Sequence, residues 1–98
     1  MITQTVLLIV GILMMLISFF ISYYKSKYEI KKMICDVGRR IYDRNMVAAN
    51  DGNISVKLND NEFLCTPTGV SKGFMTPEYI CKVDAEGNVL EANEGFRP

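Results

Sequence analysis

Residues 48–73, AANDGNISVKLNDNEFLCTPTGVSKG, decide the fold of this chain. Within them, apolar and polar side chains alternate over residues 54–58, which is the two-residue period of a half-buried strand. A polar reversal at residues 59–62 leads back into a second strand over residues 63–65. The stretch therefore predicts an antiparallel hairpin at the centre of a small sheet.

Turn-forming residues stand at both outer ends of this hairpin, at residues 50–53 (Asn-Asp-Gly-Asn) and at residues 66–69 (Thr-Pro-Thr-Gly). Glycine takes positive φ at no steric cost, and asparagine tolerates the same region. The hairpin places the two turns near the same end of the sheet. Their backbone N–H groups, with the side chains of Asn53 and Thr68, predict an anion-binding concavity. A plain hairpin with ordinary turn residues is the alternative.

The Gly-Asn-Ile-Ser segment at residues 52–55, a short hairpin and then Thr-Pro-Thr-Gly together resemble the start of the class II aldolase/adducin family. Fuculose-phosphate aldolase and ribulose-phosphate 4-epimerase belong to that family. The resemblance covers residues 28–98. It implies that the two turns bind a substrate phosphate, a role that falls by position on Gly52, Asn53, Thr68 and Gly69. Asn50 stands where some members have a phosphate-contacting threonine.

The resemblance also implies the fold, an α/β domain of the α+β type. Residues 25–98 would form the N-terminal portion of a class II aldolase-like αβα domain with antiparallel hairpins. In the family a serine pair, a catalytic glutamate and the histidine ligands of zinc come after the position of Pro98. We therefore expect the front part of such a domain, truncated with respect to the family.

The composition restricts the chemistry of this chain. It contains no histidine, and its three cysteines, Cys35, Cys65 and Cys81, are widely spaced without a CxxC motif. That pattern predicts neither a disulfide framework nor a zinc-thiolate site, and it fits a reducing compartment. We expect no catalytic residue, no metal ligand and no cofactor in this chain. Zinc is expected only in full-length family members, and the chain alone is predicted to be inactive as an aldehyde-lyase.

Residues 5–24, TVLLIVGILMMLISFFISYY, carry no charged side chain. A helix of this length crosses about 30 Å of hydrocarbon at about 1.5 Å per residue. Tyr23 and Tyr24 stand where an interfacial aromatic belt is expected, and a basic cluster follows at once: Lys25, Lys27, Lys31 and Lys32. The pattern predicts a transmembrane helix over residues 1–24 in a single-pass protein whose C-terminal part is cytoplasmic. A cleaved signal peptide is the alternative, but a basic n-region and a cleavage site are missing.

The lysines indicate membrane lipids as partners rather than nucleic acid, because no aromatic stacking platform accompanies them. Residues 28–46 predict an amphipathic helix whose apolar face carries Ile30, Ile34, Val37 and Ile41. A short helical turn is expected at Thr76–Tyr79, and a second hairpin over residues 80–84 and 88–92. Lys72, just after the Thr-Gly turn, is interpreted as a solvated loop lysine. The alternative is that it contacts a phosphate.

Three functions follow from this sequence. The first is a membrane-anchored front part of a phosphosugar aldolase or epimerase. The second is a non-catalytic membrane-anchored binding module that uses the phosphate turns alone. The third is a small membrane protein that acts through its helix. A phosphosugar is a candidate ligand in the first two, and homo-oligomers remain open in all three.

Overall fold

The computed structural model describes residues 2–47 and 52–98. One long helix comes first, followed by a small sheet and a single 3-10 turn. Their bounds are α1 (Ile2–Asp43), β1 (Ser55–Asn59), β2 (Glu62–Cys65), the 3-10 turn (Pro77–Tyr79), β3 (Cys81–Val83) and β4 (Val89–Glu91). The four strands form one antiparallel sheet in the order β1-β2-β3-β4. Both predicted hairpins and the short helical turn are therefore confirmed, and Asn50 lies outside the described residues.

The apolar segment and the amphipathic helix, which the sequence predicts as two elements, are one continuous helix. The joining residues 24–28, Tyr-Lys-Ser-Lys-Tyr, contain neither glycine nor proline, so nothing there interrupts the i→i−4 hydrogen bonds. The molecule is 67 Å long as a consequence. The apolar half of α1 is thus joined to the folded part by helical backbone rather than by a linker.

The helix ends at Asp43 rather than at residue 46. Asn45 has φ +57°, and its N–H donates to Tyr42 O at 3.0 Å. The N–H of Met46 donates to Ile41 O, also at 3.0 Å. This pair of bonds around a left-handed residue is the Schellman motif, in which asparagine can replace the usual glycine. Asn45 was the stop signal in the sequence.

The buried face of α1 differs by one position from the predicted one. Ile34 is buried and Ile30 is half-buried, as expected, but Val37 is 39% exposed. Its neighbour Gly38 is buried instead, and a Cβ on Gly38 would lie 2.6 Å from Lys72 O. The close contact allowed by this glycine is therefore with the loop before the 3-10 turn.

The core lies between one face of the sheet and the C-terminal half of α1. Ile34, Leu64, Met75 and Ile80 are its buried members. Val56 on β1 pairs with Leu64 on β2, so both side chains lie on the same face, towards the helix. Burial of each such side chain stabilises the fold by about 1.5–3 kcal/mol. Four of them form a small core, as expected of a small folded unit.

Candidate functional site

Two hydrogen bonds between the ends of the central hairpin hold the two predicted phosphate turns side by side. The N–H of Thr66 donates to Ile54 O at 3.0 Å, and the N–H of Ile54 donates to Thr66 Oγ1 at 3.2 Å. Thr66 is buried, and its hydroxyl oxygen accepts one of the two hydrogen bonds that join the two strand ends. Asn53 immediately precedes Ile54, and Thr68 follows Thr66 by two residues. For the described part of the first turn, Gly52 and Asn53, this pairing agrees with the expectation that both turns lie at one end of the sheet.

Thr68 and Gly69 border an open groove of about 450 Å³. Gly69 has φ +78°, a conformation that glycine adopts without strain. The opposite wall comes from the C-terminal segment, with Gly95, Phe96 and Arg97. Among the described residues that line the groove, none is acidic and Arg97 is a cation. The groove is therefore electrostatically suited to an anion.

The C-terminal segment is held beside the turn by three contacts. The N–H of Thr68 donates to Arg97 O at 2.7 Å. The ring of Phe96 stacks on Tyr79 with centroids 4.3 Å apart, and Asn93 Nδ2 donates to Glu78 O at 2.8 Å. These contacts place Arg97 at the groove. They also occupy the Thr68 N–H, so this donor is not free for a ligand in the described conformation.

Gly52 and Asn53 are exposed at the neighbouring strand end and are not among the residues that line this groove. Gly52 has φ +85°, and a Cβ there would lie 3.2 Å from Val47 Cγ1. The structure thus brings Thr68 and Gly69 together with Arg97, while Gly52 and Asn53 lie beside them. Sequence reasoning did not identify Arg97, because nothing in its local pattern indicates that the chain end returns to the Thr-Gly turn.

Lys72 is not a solvated loop lysine, so that interpretation is wrong. It is only 1% exposed, and its Nζ donates to Val70 O at 3.2 Å. Among the described residues no carboxylate forms an ion pair with it. Its backbone packs against Gly38, and the next residue, Gly73, packs against the ring of Tyr42. The loop is pressed against the helix, which carries the aliphatic stem of Lys72 out of water.

No three histidine, cysteine, aspartate or glutamate side chains converge on a common point within residues 2–47 and 52–98. Zinc sites in proteins are built from such sets, most often with histidine or cysteine. The donor set of the described residues therefore does not fit the zinc ion that the family resemblance implies. No step of chemistry is assigned to a metal held by these residues.

A layer of charged side chains joins α1 to the sheet at the end nearest the apolar segment. Lys27 Nζ and Lys31 Nζ contact the two oxygens of Glu91 at 2.8 and 3.1 Å. On the same face, Lys82 Nζ lies 2.9 Å from Glu62 Oε2. Hydrogen bonds from Lys27 and then from Lys31 hold the pKa of Glu91 below its ordinary range. Lys27 is 8% exposed, so this pairing compensates a nearly buried charge.

The apolar half of α1, residues 2–22, is exposed throughout. Its large apolar side chains from Val6 to Ile21 are exposed on every side, and none of the residues in its most apolar window is buried. By length and composition this helix is able to span a membrane, a test that signal sequences also pass.

The family described as "Class II Aldolase and Adducin N-terminal domain" matches residues 32–98. The chain is 42% identical over 60 residues to 3-oxo-tetronate 4-phosphate decarboxylase of Haemophilus influenzae, covering 61% of this chain and 29% of that protein. It is 41% identical over 61 residues to L-fuculose phosphate aldolase of Methanocaldococcus jannaschii, covering 62% and 33%.

A third relative is methylthioribulose-1-phosphate dehydratase of Pseudomonas syringae pv. tomato, 35% identical over 66 residues that cover 67% of this chain and 32% of that protein. Among solved structures, YgbL of Escherichia coli matches with a TM-score of 0.65 and 26% identity. That match covers 69% of this chain and 33% of YgbL. The chain thus spans about a third of the length of the relatives it matches.

Proposed function

Since this chain belongs to the class II aldolase and adducin family over residues 32–98, we propose that its folded part binds the phosphate group of a phosphorylated sugar or sugar acid. It would do so as the front part of an aldolase-like domain held at a membrane by α1. The observation that carries the proposal is the open groove between the Thr68–Gly69 turn and Arg97, whose described lining contains a cation and no acid.

The relatives support phosphate rather than a particular reaction. Their names give three different reactions, a decarboxylation, an aldol cleavage and a dehydration. All three names include a phosphorylated compound. This chain aligns with about a third of each relative. Since the reactions differ and the phosphate is common to them, phosphate binding is the function that we propose for the aligned part. The reaction itself would depend on residues elsewhere in those proteins.

Arg97 is suited to a phosphate because a guanidinium presents several N–H donors in a fixed plane, and charge-assisted bonds are stronger than neutral ones. The Thr68 hydroxyl and the backbone at Gly69 would supply neutral donors from the opposite wall. Gly52 and Asn53, at the neighbouring strand end, would complete the cradle. Thr68 N–H would first have to leave Arg97 O, which limits the affinity of the described conformation.

No aldol cleavage is expected from these residues with any phosphosugar. A class II aldolase uses its metal as a Lewis acid to stabilise a developing enediolate. The sequence has no histidine, and the described residues contain no cluster of metal ligands. A binding module without chemistry is therefore the second candidate function, and both candidates depend on the same groove.

Calorimetric titration of the detergent-solubilised chain tests phosphate binding. L-fuculose phosphate is expected to bind with millimolar affinity, about −4 kcal/mol, and unphosphorylated L-fuculose is expected not to bind. Arg97→Gln should weaken binding about tenfold, and Asn53→Ala by less. Lys57→Gln is the matched control, because it removes an exposed positive charge that does not line the groove and should leave binding unchanged. Equal binding of both sugars, or equal losses in Arg97→Gln and Lys57→Gln, would refute the proposal.

The membrane part of the proposal rests on the exposed apolar half of α1 and the lysines that follow it. The positive-inside rule places residues from Lys25 onward in the cytoplasm. In that arrangement Tyr23 and Tyr24 lie at the interface, and the charged layer around Glu91 lies just outside it. Membrane lipids are the expected partners of the apolar half.

Labelling with a membrane-impermeant maleimide tests the orientation. Gln4 and Glu86 are both exposed, Gln4 near the start of α1 and Glu86 in the turn between β3 and β4 of the folded part. Gln4→Cys should react in intact cells, whereas Glu86→Cys should react only after the membrane is permeabilised. The reverse pattern would invert the topology. Recovery of the chain in the soluble fraction would contradict the proposed membrane anchor.

A further inference from the structure

Cys65 and Cys81 lie directly opposite each other on β2 and β3. Their separation along the sequence gave no indication of this, because the spacing matches no disulfide or metal motif. The antiparallel pairing of the two strands brings the two positions into register. Both thiols are free in the structure.

The register fixes how far apart the two residues are. Directly opposed residues in an antiparallel pair have Cα atoms about 4.5 or 5.5 Å apart, according to the type of pair, and their side chains project to the same face. Disulfides form over Cα separations of about 4.4–6.8 Å. Either type of pair therefore has a Cα separation within the range that disulfides span.

We propose that Cys65 and Cys81 form a redox-active dithiol, which small-molecule disulfides such as oxidised glutathione convert to a cross-strand disulfide. The site is distinct from the groove, and it does not depend on the proposed phosphate binding.

The reaction proceeds in two exchanges. Cys65 is half-buried, whereas Cys81 is 0% exposed, so the thiolate of Cys65 attacks the small disulfide first. That step leaves a mixed disulfide on Cys65 and releases one glutathione thiolate, which takes up a proton. The Cys81 thiolate then attacks the Sγ of Cys65 and releases the second glutathione. Overall the two protein thiols lose two protons and two electrons as they become a disulfide, and one oxidised glutathione takes up both to become two reduced molecules.

The surroundings make this dithiol slow at neutral pH. Burial raises the pKa of Cys65, and the facing Cys81 raises it further. Burial also raises the pKa of Cys81, and the positive charge of Lys31 on α1 offsets this rise only in part. The Cys81 thiol donates a hydrogen bond to Tyr79 O at 3.7 Å. Thiolate is the reactive form, so the oxidation rate should rise about tenfold per pH unit below the thiol pKa values.

Oxidation would close the segment that contains the phosphate turn. The loop from Cys65 to Cys81 includes Thr68, Gly69 and the 3-10 turn. A disulfide across its base stabilises the folded form, chiefly by restricting the unfolded chain. The expected consequence is a higher unfolding temperature of the oxidised protein.

The test treats the detergent-solubilised full chain with oxidised glutathione, blocks free thiols and digests with trypsin. Cleavage after Lys57, Lys72 and Lys82 places the two cysteines on separate peptides, residues 58–72 and 73–82. The expected product is these two peptides joined by a bond that dithiothreitol breaks, formed faster at pH 9 than at pH 7.

Three variants make the result decisive. Cys35→Ser removes the remaining cysteine and should leave the linked peptides unchanged. Cys65→Ser and Cys81→Ser should each abolish them, and Cys65→Ser keeps the fully buried thiol in case Cys81→Ser fails to fold. Glutathione that stays on Cys65 without linkage, or linkage that involves Cys35 in preference, would overturn the proposal.

Discussion

Ile12 and Ile34 are the same residue type in the same helix, yet Ile12 is 53% exposed and Ile34 is 1% exposed. Around Ile12 the helix is apolar on every side, and the described protein covers none of it. Around Ile34 only one face is apolar, and the sheet covers that face. A helix that is apolar all round needs an apolar environment, whereas a one-sided helix needs only a partner surface. The environment of α1 therefore changes along its length while its backbone does not.

The largest expected effect separates the two environments directly. The double substitution Leu13→Arg/Leu16→Arg places two charges at the middle of the apolar half, at a cost of about 3 kcal/mol each for membrane insertion. The chain should leave the carbonate-washed membrane fraction, as measured by immunoblotting. Met33→Arg/Val37→Arg is the matched control, since those side chains are also exposed but lie in the other half. Equal membrane recovery of the two variants would contradict the proposed anchor.

The two glycines of α1 give the next largest effect. Gly38→Ala would place a methyl group 2.6 Å from Lys72 O and 2.9 Å from Met75 Cε. Such overpacking against backbone typically costs about 1–3 kcal/mol. Hydrogen exchange of the β2 amides, followed by mass spectrometry in detergent, should accelerate accordingly. Gly11→Ala meets nothing within 4 Å and should leave that exchange unchanged. Unchanged protection in Gly38→Ala would show that the helix does not press on the loop.

Glu91→Gln sharpens the comparison at the junction of the two halves. The substitution removes the carboxylate that pairs with Lys27 and Lys31, leaving a nearly buried ammonium with a weaker partner. Because the side chain of Glu91 is 42% exposed, solvent screening limits the loss to about 1 kcal/mol. Glu29→Gln is the control, since its pair with Lys32 is exposed and 3.9 Å long. Thermal unfolding followed by the near-UV signal of the tyrosines should distinguish the two variants.

The smallest effect is on the pH dependence of the same junction. Hydrogen bonds from Lys82 and Asn59 lower the pKa of Glu62, and those from Lys27 and Lys31 lower that of Glu91. Their stabilisation is complete above the ordinary value of 4.5 and is lost as the pH falls through the lower folded-state values. The unfolding temperature should fall on acidification below pH 4.5, and less so in Glu91→Gln. If the unfolding temperature of the unsubstituted chain and of Glu91→Gln fell identically with pH, Glu91 would not contribute to the acid sensitivity.

Much of the fold could be predicted because its signals are local. The alternation at residues 54–58, the glycine turns and Pro77 at the start of the 3-10 turn each depend on adjacent residues. The misses involve tertiary contacts or a subtle stop signal. Val37 and Gly38 exchange places because the loop at Lys72 reaches the helix, and α1 ends early because Asn45 adopts the left-handed conformation.

The candidate site divides in the same way. The Thr-Gly turn could be identified from its residues, since glycine and threonine at those positions have a conformational reason to be there. Arg97, the burial of Lys72 and the register of Cys65 with Cys81 could not, because each depends on segments distant in sequence. Local patterns therefore located the turn, while strand register and the path of the chain end supplied its neighbours.

The uninterrupted backbone of α1 through residues 24–28 has a consequence for how such a chain can diverge. In a flexible tether, gaining or losing a residue changes only reach. In a continuous helix each inserted residue turns everything beyond it by about 100° and advances it by about 1.5 Å. A single insertion after Tyr24 would point the groove in another direction around the helix axis, and seven insertions would nearly restore it. Sequence changes in this segment should therefore be substitutions, or insertions in multiples close to whole helical turns.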